Sequence, residues 1–392
     1  MLQRKMPWTW PPFFSCSMST AFAAASSNLA RSISRVAREP PKRSPLSSLM
    51  SQTAYVAGRP IGPNAPCFII AEACDNHLGN LDTAKEMVRQ AKACGADAIK
   101  FQHHLPDQEM LSEGVPMSAN FAMPLHEFLR RYALTLEQHA QLMAYCREIG
   151  IIYLCTPFSL KAAEQLNELG LEAFKIGSGE LTDIPSLTAI ASFGKPMILS
   201  TGMAEWEEID ETVNALKPIN PAILLMNCTS EYPARHSDIN LGLISKLRER
   251  YDVTVGHSDH TPDIYTALGA VAAGAKLLEK HLILDRRQQG PDQSVSIEPY
   301  ELYQLVQGAR RIEEALGSTK LVHELERPIR AWAHRSVVSV RPIRRGQRIT
   351  DKMVWTKRPG TGIPAKHLPE VIGRCARVDI PTDHLIRWEE LE

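Results

Sequence analysis

The sequence lacks the marks of several large protein classes. No stretch approaches 18 uninterrupted apolar residues, so no segment reads as a membrane-spanning helix. It has no surplus charge: Lys+Arg and Asp+Glu both total 44. A nucleic-acid binder that reads phosphates with a basic face is therefore disfavoured. None of the eight cysteines forms a C-x-x-C pair, and most lie in or beside apolar runs. They read as buried free thiols of a reducing compartment, not as a disulfide frame or zinc knuckle. An H-x-H pair, usual in metal-dependent barrel hydrolases, is also missing.

What is present is ordinary for a globular chain, with 44% apolar and 22% charged residues. Against about 100–200 residues per domain, 392 residues suggest two domains, or one large barrel with an appendage. The charge is unevenly spread. Residues 1–50 hold seven basic side chains and one acid, Glu39, which leaves the remainder at net −6. Residues 1–55 are a basic Ser/Ala/Pro-rich leader, expected to be disordered or processed. The leader reads as a start-site artefact upstream of Met50 or as a transit peptide. A cytoplasmic location is expected, with organelle import as the alternative if the leader is genuine.

From Cys67 onward short β-rich runs alternate with helical patterns. The runs are Cys67–Ala71, Ala96–Phe101, Ile151–Cys155, Glu172–Ile176, Pro196–Ser200, Ala222–Met226, Asp252–Gly256 and Lys276–Lys280. Most are near-continuous apolar stretches, the pattern of parallel strands covered on both faces. Between them, Ala84, Met87, Val88 and Ala91 recur at helical spacing. Thr135 and Gln138 form a capping box that opens a helix stopping at Gly150. Eight strand–helix units point to a (β/α)8 TIM barrel over residues 60–316, with a doubly wound open sheet as the rival.

Barrel enzymes gather reactive side chains at the carboxyl ends of their strands. Here Glu72, Lys100 with Gln102, Thr156, Lys175 with Ser178 and Glu180, Ser200, Asn227, Ser258 and Glu279 follow successive runs. His260 and His281 end the last two, where both imidazoles can reach one divalent ion across the barrel mouth. The plainer reading has each ring bonding the backbone. Lys100 and Lys175 lie inside apolar runs, where an unpaired ammonium is costly. They pair either with a carboxylate such as Glu72 or with an anionic ligand. The G-S-G after Lys175 lets backbone N–H groups approach such a ligand closely. A Schiff-base lysine is the competing chemistry.

Nine segments now stand in one order: IAEACDNHLGN, DAIKFQ, CTPFS, FKIGSGE, LSTGM, NCTSEYP, GHSDHTPD, EKHLILD and GPDQSVSIEP. The chain resembles the sialic acid synthases, that is the N-acetylneuraminate synthases with their legionaminate and pseudaminate relatives, over about residues 60–392. The resemblance implies condensation of phosphoenolpyruvate with an N-acetylated amino-sugar aldehyde, N-acetylmannosamine first, giving a nonulosonic acid and phosphate. A 2,4-diacetamido sugar or an octulosonate-type reaction are the alternatives. It implies that His260 and His281 hold a divalent metal, Mn²⁺ before Mg²⁺ or Co²⁺. It places Lys100, Gln102, Thr156, Lys175, Ser178, Ser200, Asn227 and Ser258 around phosphoenolpyruvate. Glu72 and Glu180 become candidate proton carriers, with Tyr232 and Asp292 near the sugar.

Residues 317–334 read as a linker, where βα alternation stops. Beyond it, Ile343 and Ile349 recur as Ile380 and Ile386, 37 residues later. The resemblance implies a small, mostly β antifreeze-like (SAF) domain over 335–392. It also implies a domain-swapped homodimer that brings Arg358 of KRPG to a second copy's sugar site. A solvated surface arginine is the plainer reading.

Overall fold

The structure is a computed structural model that describes residues 53–115, 123–288 and 290–392. The leader lies outside them, apart from residues 53–55. A hairpin of β1 (Ala54–Val56) and β2 (Arg59–Ile61) opens the described chain. Eight parallel strands follow: β3 (Phe68–Glu72), β4 (Ala98–His103), β5 (Ile152–Pro157), β6 (Phe174–Ile176), β7 (Met197–Ser200), β8 (Ile223–Cys228), β9 (Val255–Asp259) and β10 (Leu277–His281). Pairing of β10 with both β9 and β3 closes the sheet into a barrel. This removes the open-sheet alternative.

Side chains alternate across each strand, and that period divides the apolar residues into two layers. Phe68, Ile70, Ala98, Leu154, Ala173, Ile198, Leu224 and Leu277 fill the barrel's interior, where the hairpin residues Ala54, Val56 and Ile61 join them. Their neighbours Ile69, Ile99, Tyr153, Phe174, Leu199, Leu225 and Leu278 face outward under the helices. The outer ring includes α1 (Leu81–Cys94), which buries Ala84, Met87, Val88 and Ala91 against that layer. The two-turn α3 (Leu125–Tyr132) follows α2 (Pro106–Glu109) on the way to α4 (Leu136–Ile149). The Thr135–Gln138 capping box opens α4 as expected, and Gly150 closes it at φ 75°. Gly256 in β9 is required by contact: a Cβ there would lie 2.6 Å from Leu277 Cβ and 2.7 Å from Leu277 O.

The segment read as a linker contains a helix, Glu326–Ala333. Residues 335–392 then build their own apolar cluster around Val337, Ile343, Ile349, Ile380 and Ile386. The repeated isoleucines meet directly, since Ile343 and Ile380 form an antiparallel bridge. A two-stranded sheet of β11 (Ser336–Ser339) and β12 (Val354–Lys357) completes this small domain.

Candidate functional site

At the carboxyl ends of the strands lies a cavity of about 630 Å³. The two-residue period that sends Phe68 and Ile70 inward sends Glu72 inward too, one step nearer the mouth. By the same parity Lys100 and Gln102, Thr156, Lys175, Ser200, Ser258, Glu279 and His281 all reach it. Ser178 and Glu180 arrive from the loop after β6, Tyr232 from the loop after β8, and His260 and Asp292 from beyond β9 and β10.

Asn227, expected there, is not brought to it, and Arg358, expected at a second copy's site, lies outside it. Asn227 holds the outward parity of β8 and donates from Nδ2 to Ile239 O at 3.0 Å, lining a neighbouring cavity instead. Cys228, one residue on, faces the main cavity in its place. Arg358 is exposed in the C-terminal domain. It donates to Ala333 O at 3.1 Å, and its guanidinium lies 5.1 Å from the Trp332 ring centroid.

Charge is concentrated on the cavity floor. Lys100 Nζ donates to Thr156 Oγ1 at 3.0 Å and sits 3.2 Å from Glu72 Oε2 and 3.4 Å from Glu279 Oε1. Lys175 Nζ donates to Ser200 Oγ at 2.7 Å and lies 3.5 Å from that Glu279 oxygen. Two ammoniums therefore share one central carboxylate, with Glu72 at the edge. Burial pushes Glu72 up to about 7, against the pull of Lys100. Burial acts on Glu279 in the same sense, but Lys100 and Lys175 hold it below the usual range. Burial lowers Lys175.

The paired rings stand beside this floor. His260 and His281 have centroids 5.2 Å apart at an interplanar angle of 68°. Nδ1 of His260 donates to Thr229 O at 2.7 Å, which fixes the tautomer and leaves Nε2 as the lone-pair side. That nitrogen faces Tyr232 Oη at 3.2 Å. Nδ1 of His281 is buried without a hydrogen-bond partner, and Asp292 Oδ2 lies 3.6 Å from it. Single ligand atoms of His281, Asp292 and Cys74 lie within 4.8 Å of one another. Burial, reinforced by the nearby Asp292, Glu72 and Asp75 carboxylates, drives the Cys74 thiol far up. An orphaned imidazole nitrogen beside a carboxylate and a thiol fits a divalent cation, and His260 is not a member of that close group.

Other groups on the cavity were not singled out from sequence. From sequence Glu279 reads only as a strand end. Asp75, His104 and Glu109 form an ion-pair cluster on one wall, and Phe158 stacks on His104 with centroids 4.2 Å apart. Strand parity points to Glu279 and Cys228. Nothing local marks Glu109, which sits at the end of the four-residue α2.

The profile described as the NeuB family matches residues 87–321, and that of the SAF domain matches residues 334–392. The chain belongs to the NeuB family. Among relatives of this NeuB chain, the N,N'-diacetyllegionaminic acid synthase of Campylobacter jejuni is 38% identical, covering 81% of this chain and 98% of that one. The N-acetylneuraminate-9-phosphate synthase of Homo sapiens is 35% identical over 85% of this chain and 94% of its own. The crystal structure of the N-acetylneuraminic acid synthetase of Leptospira borgpetersenii, in complex with citrate, superposes with a TM-score of 0.65. It shares 34% identity and covers 71% of this chain and 95% of that one. The protein is a condensing transferase of the sialic acid synthase type. Among the described residues no helix is long and apolar enough to cross a membrane.

Proposed function

We propose that the protein joins phosphoenolpyruvate to unphosphorylated N-acetylmannosamine, releasing N-acetylneuraminate and inorganic phosphate. The observation that carries this reading is the buried Lys100–Glu279–Lys175 array beside the His260–His281 pair. Two ammoniums suit a small substrate that bears a phosphate and a carboxylate. Away from them the cavity wall carries Asp75, Glu109, Glu180 and Asp292, and its cation His104 is already taken by Glu109. That wall favours a neutral polyhydroxy acceptor over a sugar phosphate.

A divalent ion, Mn²⁺ before Mg²⁺ or Co²⁺, held by His260, His281 and Asp292 would polarise the acceptor aldehyde. The lysines, with Thr156, Ser200, Ser258 and the backbone near Ser178, hold phosphoenolpyruvate so that its C3 faces that carbonyl carbon. The C3 electron pair forms the new carbon–carbon bond, and the aldehyde oxygen takes a proton, which Glu72 can supply because burial keeps it partly protonated. Water adds at C2 and gives up a proton to Glu72 or Glu180. The C–O bond to phosphate then breaks as the C2 hydroxyl gives its remaining proton to the departing phosphate, leaving the ketone.

A second copy is part of the proposal. Arg358 would reach the acceptor's N-acetyl group from the partner subunit's C-terminal domain in a domain-swapped dimer. The direct test incubates the protein with Mn²⁺, phosphoenolpyruvate and a panel of amino-sugar aldehydes, reading phosphate release and product mass. The expected result is one phosphate per nonulosonic acid, with N-acetylmannosamine preferred over its 6-phosphate and over 2,4-diacetamido sugars. Preference for the 6-phosphate would overturn the acceptor assignment. His281→Ala should abolish turnover, and near-full metal-dependent activity in that variant would overturn the metal assignment.

A further inference from the structure

One wall of the cavity is organised around a buried histidine that the reaction as described does not use. His104 Nδ1 lies 3.1 Å from both Glu109 carboxylate oxygens, and its Nε2 lies 3.1 Å from Gln102 Oε1. Gln102 in turn donates from Nε2 to Glu72 Oε1 at 2.9 Å. The donor and acceptor inventory fixes the protons along this chain. A carboxylate can only accept, so His104 Nδ1 must carry a hydrogen. While Glu72 is ionised it can only accept, so the Gln102 NH₂ faces it, the amide carbonyl faces the ring, and Nε2 carries a hydrogen as well. The ring is therefore an imidazolium, set between Glu109 and Asp75, whose Oδ2 lies 3.6 Å from Nε2. Glu180 also faces this end of the cavity, and His77 and His103 are the neighbouring titratable rings. Phe158 stacks on one face and blocks rotation.

We infer that Glu109 and His104 are positioning residues that lock the Gln102 amide with its NH₂ toward Glu72. Asn and Gln amides flip readily where their two ends meet interchangeable partners. An imidazolium removes that freedom, because a flipped amide would aim its NH₂ at a ring N–H. Gln102 then donates to one oxygen of Glu72, and the other is left facing Lys100 at 3.2 Å. A floppy amide would let the Glu72 carboxyl rotate away from the reacting atoms, at a cost in turnover rather than in substrate binding.

The inference rests on the reading of Glu72 as the proton carrier, so the test separates the two. The full-length chain is assayed with Mn²⁺, phosphoenolpyruvate and N-acetylmannosamine as Glu72→Gln, Gln102→Ala, His104→Ala, Glu109→Gln and the Gln102→Ala/His104→Ala double variant. His104→Ala and Gln102→Ala should each lower kcat about tenfold and move the phosphoenolpyruvate KM by less than about twofold. The double variant should lose no more than either single one, because both break the same arm. Glu109→Gln preserves volume, which guards against misfolding, and should lower kcat at least about threefold with the same non-additivity toward Gln102→Ala. Additive losses, or an effect confined to the sugar KM, overturn the arm. Wild-type turnover in Glu72→Gln overturns the reading of Glu72 instead. A ¹⁵N spectrum at neutral pH should show a doubly protonated His104 ring in the wild type and lose that signature in Glu109→Gln; a neutral ring in the wild type overturns the proposal.

Discussion

Glu279 holds the two lysines together, and its position explains why each of them tolerates burial. An ammonium with no partner in an apolar interior is costly, whereas here each has a carboxylate within 3.5 Å and a hydroxyl acceptor. Removing Lys175 should therefore act on anion binding first. Lys175→Met is expected to raise the phosphoenolpyruvate KM at least about tenfold, or 1.4 kcal/mol, in steady-state assays, while the sugar KM moves little. Equal effects on both substrates would count against the placement. Glu72→Gln should instead lower kcat about a hundredfold with small KM changes, the loss expected for a general acid–base group. Most of this array was legible in the sequence, because strand parity and the polar ends of apolar runs are local signals. Asn227 shows the limit: as a polar strand-end residue it looked like a ligand, yet counting the parity of β8 turns it outward and Cys228 inward.

Behind β4, three histidines are packed against the barrel wall: His77 from the loop after β3, His103 of β4 and His139 of α4. His103 and His139 stand edge to face at 4.7 Å, and His77, His103 and His139 each keep a buried ring nitrogen without a partner. Burial lowers all three, His77 to about 4 from an ordinary 6.5. A folded value below the unfolded one means the unfolded chain binds more protons. The stabilising contribution is complete above pH 6.5 and is lost as pH falls through about 4. His77→Leu should lose stability at every pH through its broken bond to the Gly79 amide. Its further loss between pH 7.5 and 4 should be smaller than the wild type's by about 3 kcal/mol in urea melts. An unchanged pH dependence would contradict the account. At this scale the sequence located all eight strands to within about three residues. It missed the short helices α2 and Glu326–Ala333, because four to eight residues hold too few turns to show a period.

Closure of the barrel and the proposed partnership of copies belong to the whole molecule, and no local pattern encodes them. The C-terminal domain has its own apolar cluster, and within one chain Arg358 lies off the cavity. If Arg358 serves a partner's site, two inactive variants should complement. Mixing Arg358→Ala with His281→Ala, after dissociation and reassociation, should regain about a quarter of wild-type activity, since random pairing makes half the dimers hybrid and each hybrid has one intact site. No recovery, together with a monomeric mass in light scattering, would refute the exchange.

Condensation as proposed needs one cation held between the imidazoles of His260 and His281 at the barrel mouth. Electron spin-echo modulation of Mn²⁺ added to the folded chain, with and without ¹⁵N-labelled histidine, reads those contacts directly. Two histidine nitrogens should couple to the ion, with one coupling lost in His260→Ala and the other in His281→Ala. Tight Mn²⁺ binding with no histidine coupling, unchanged by either substitution, would contradict the account.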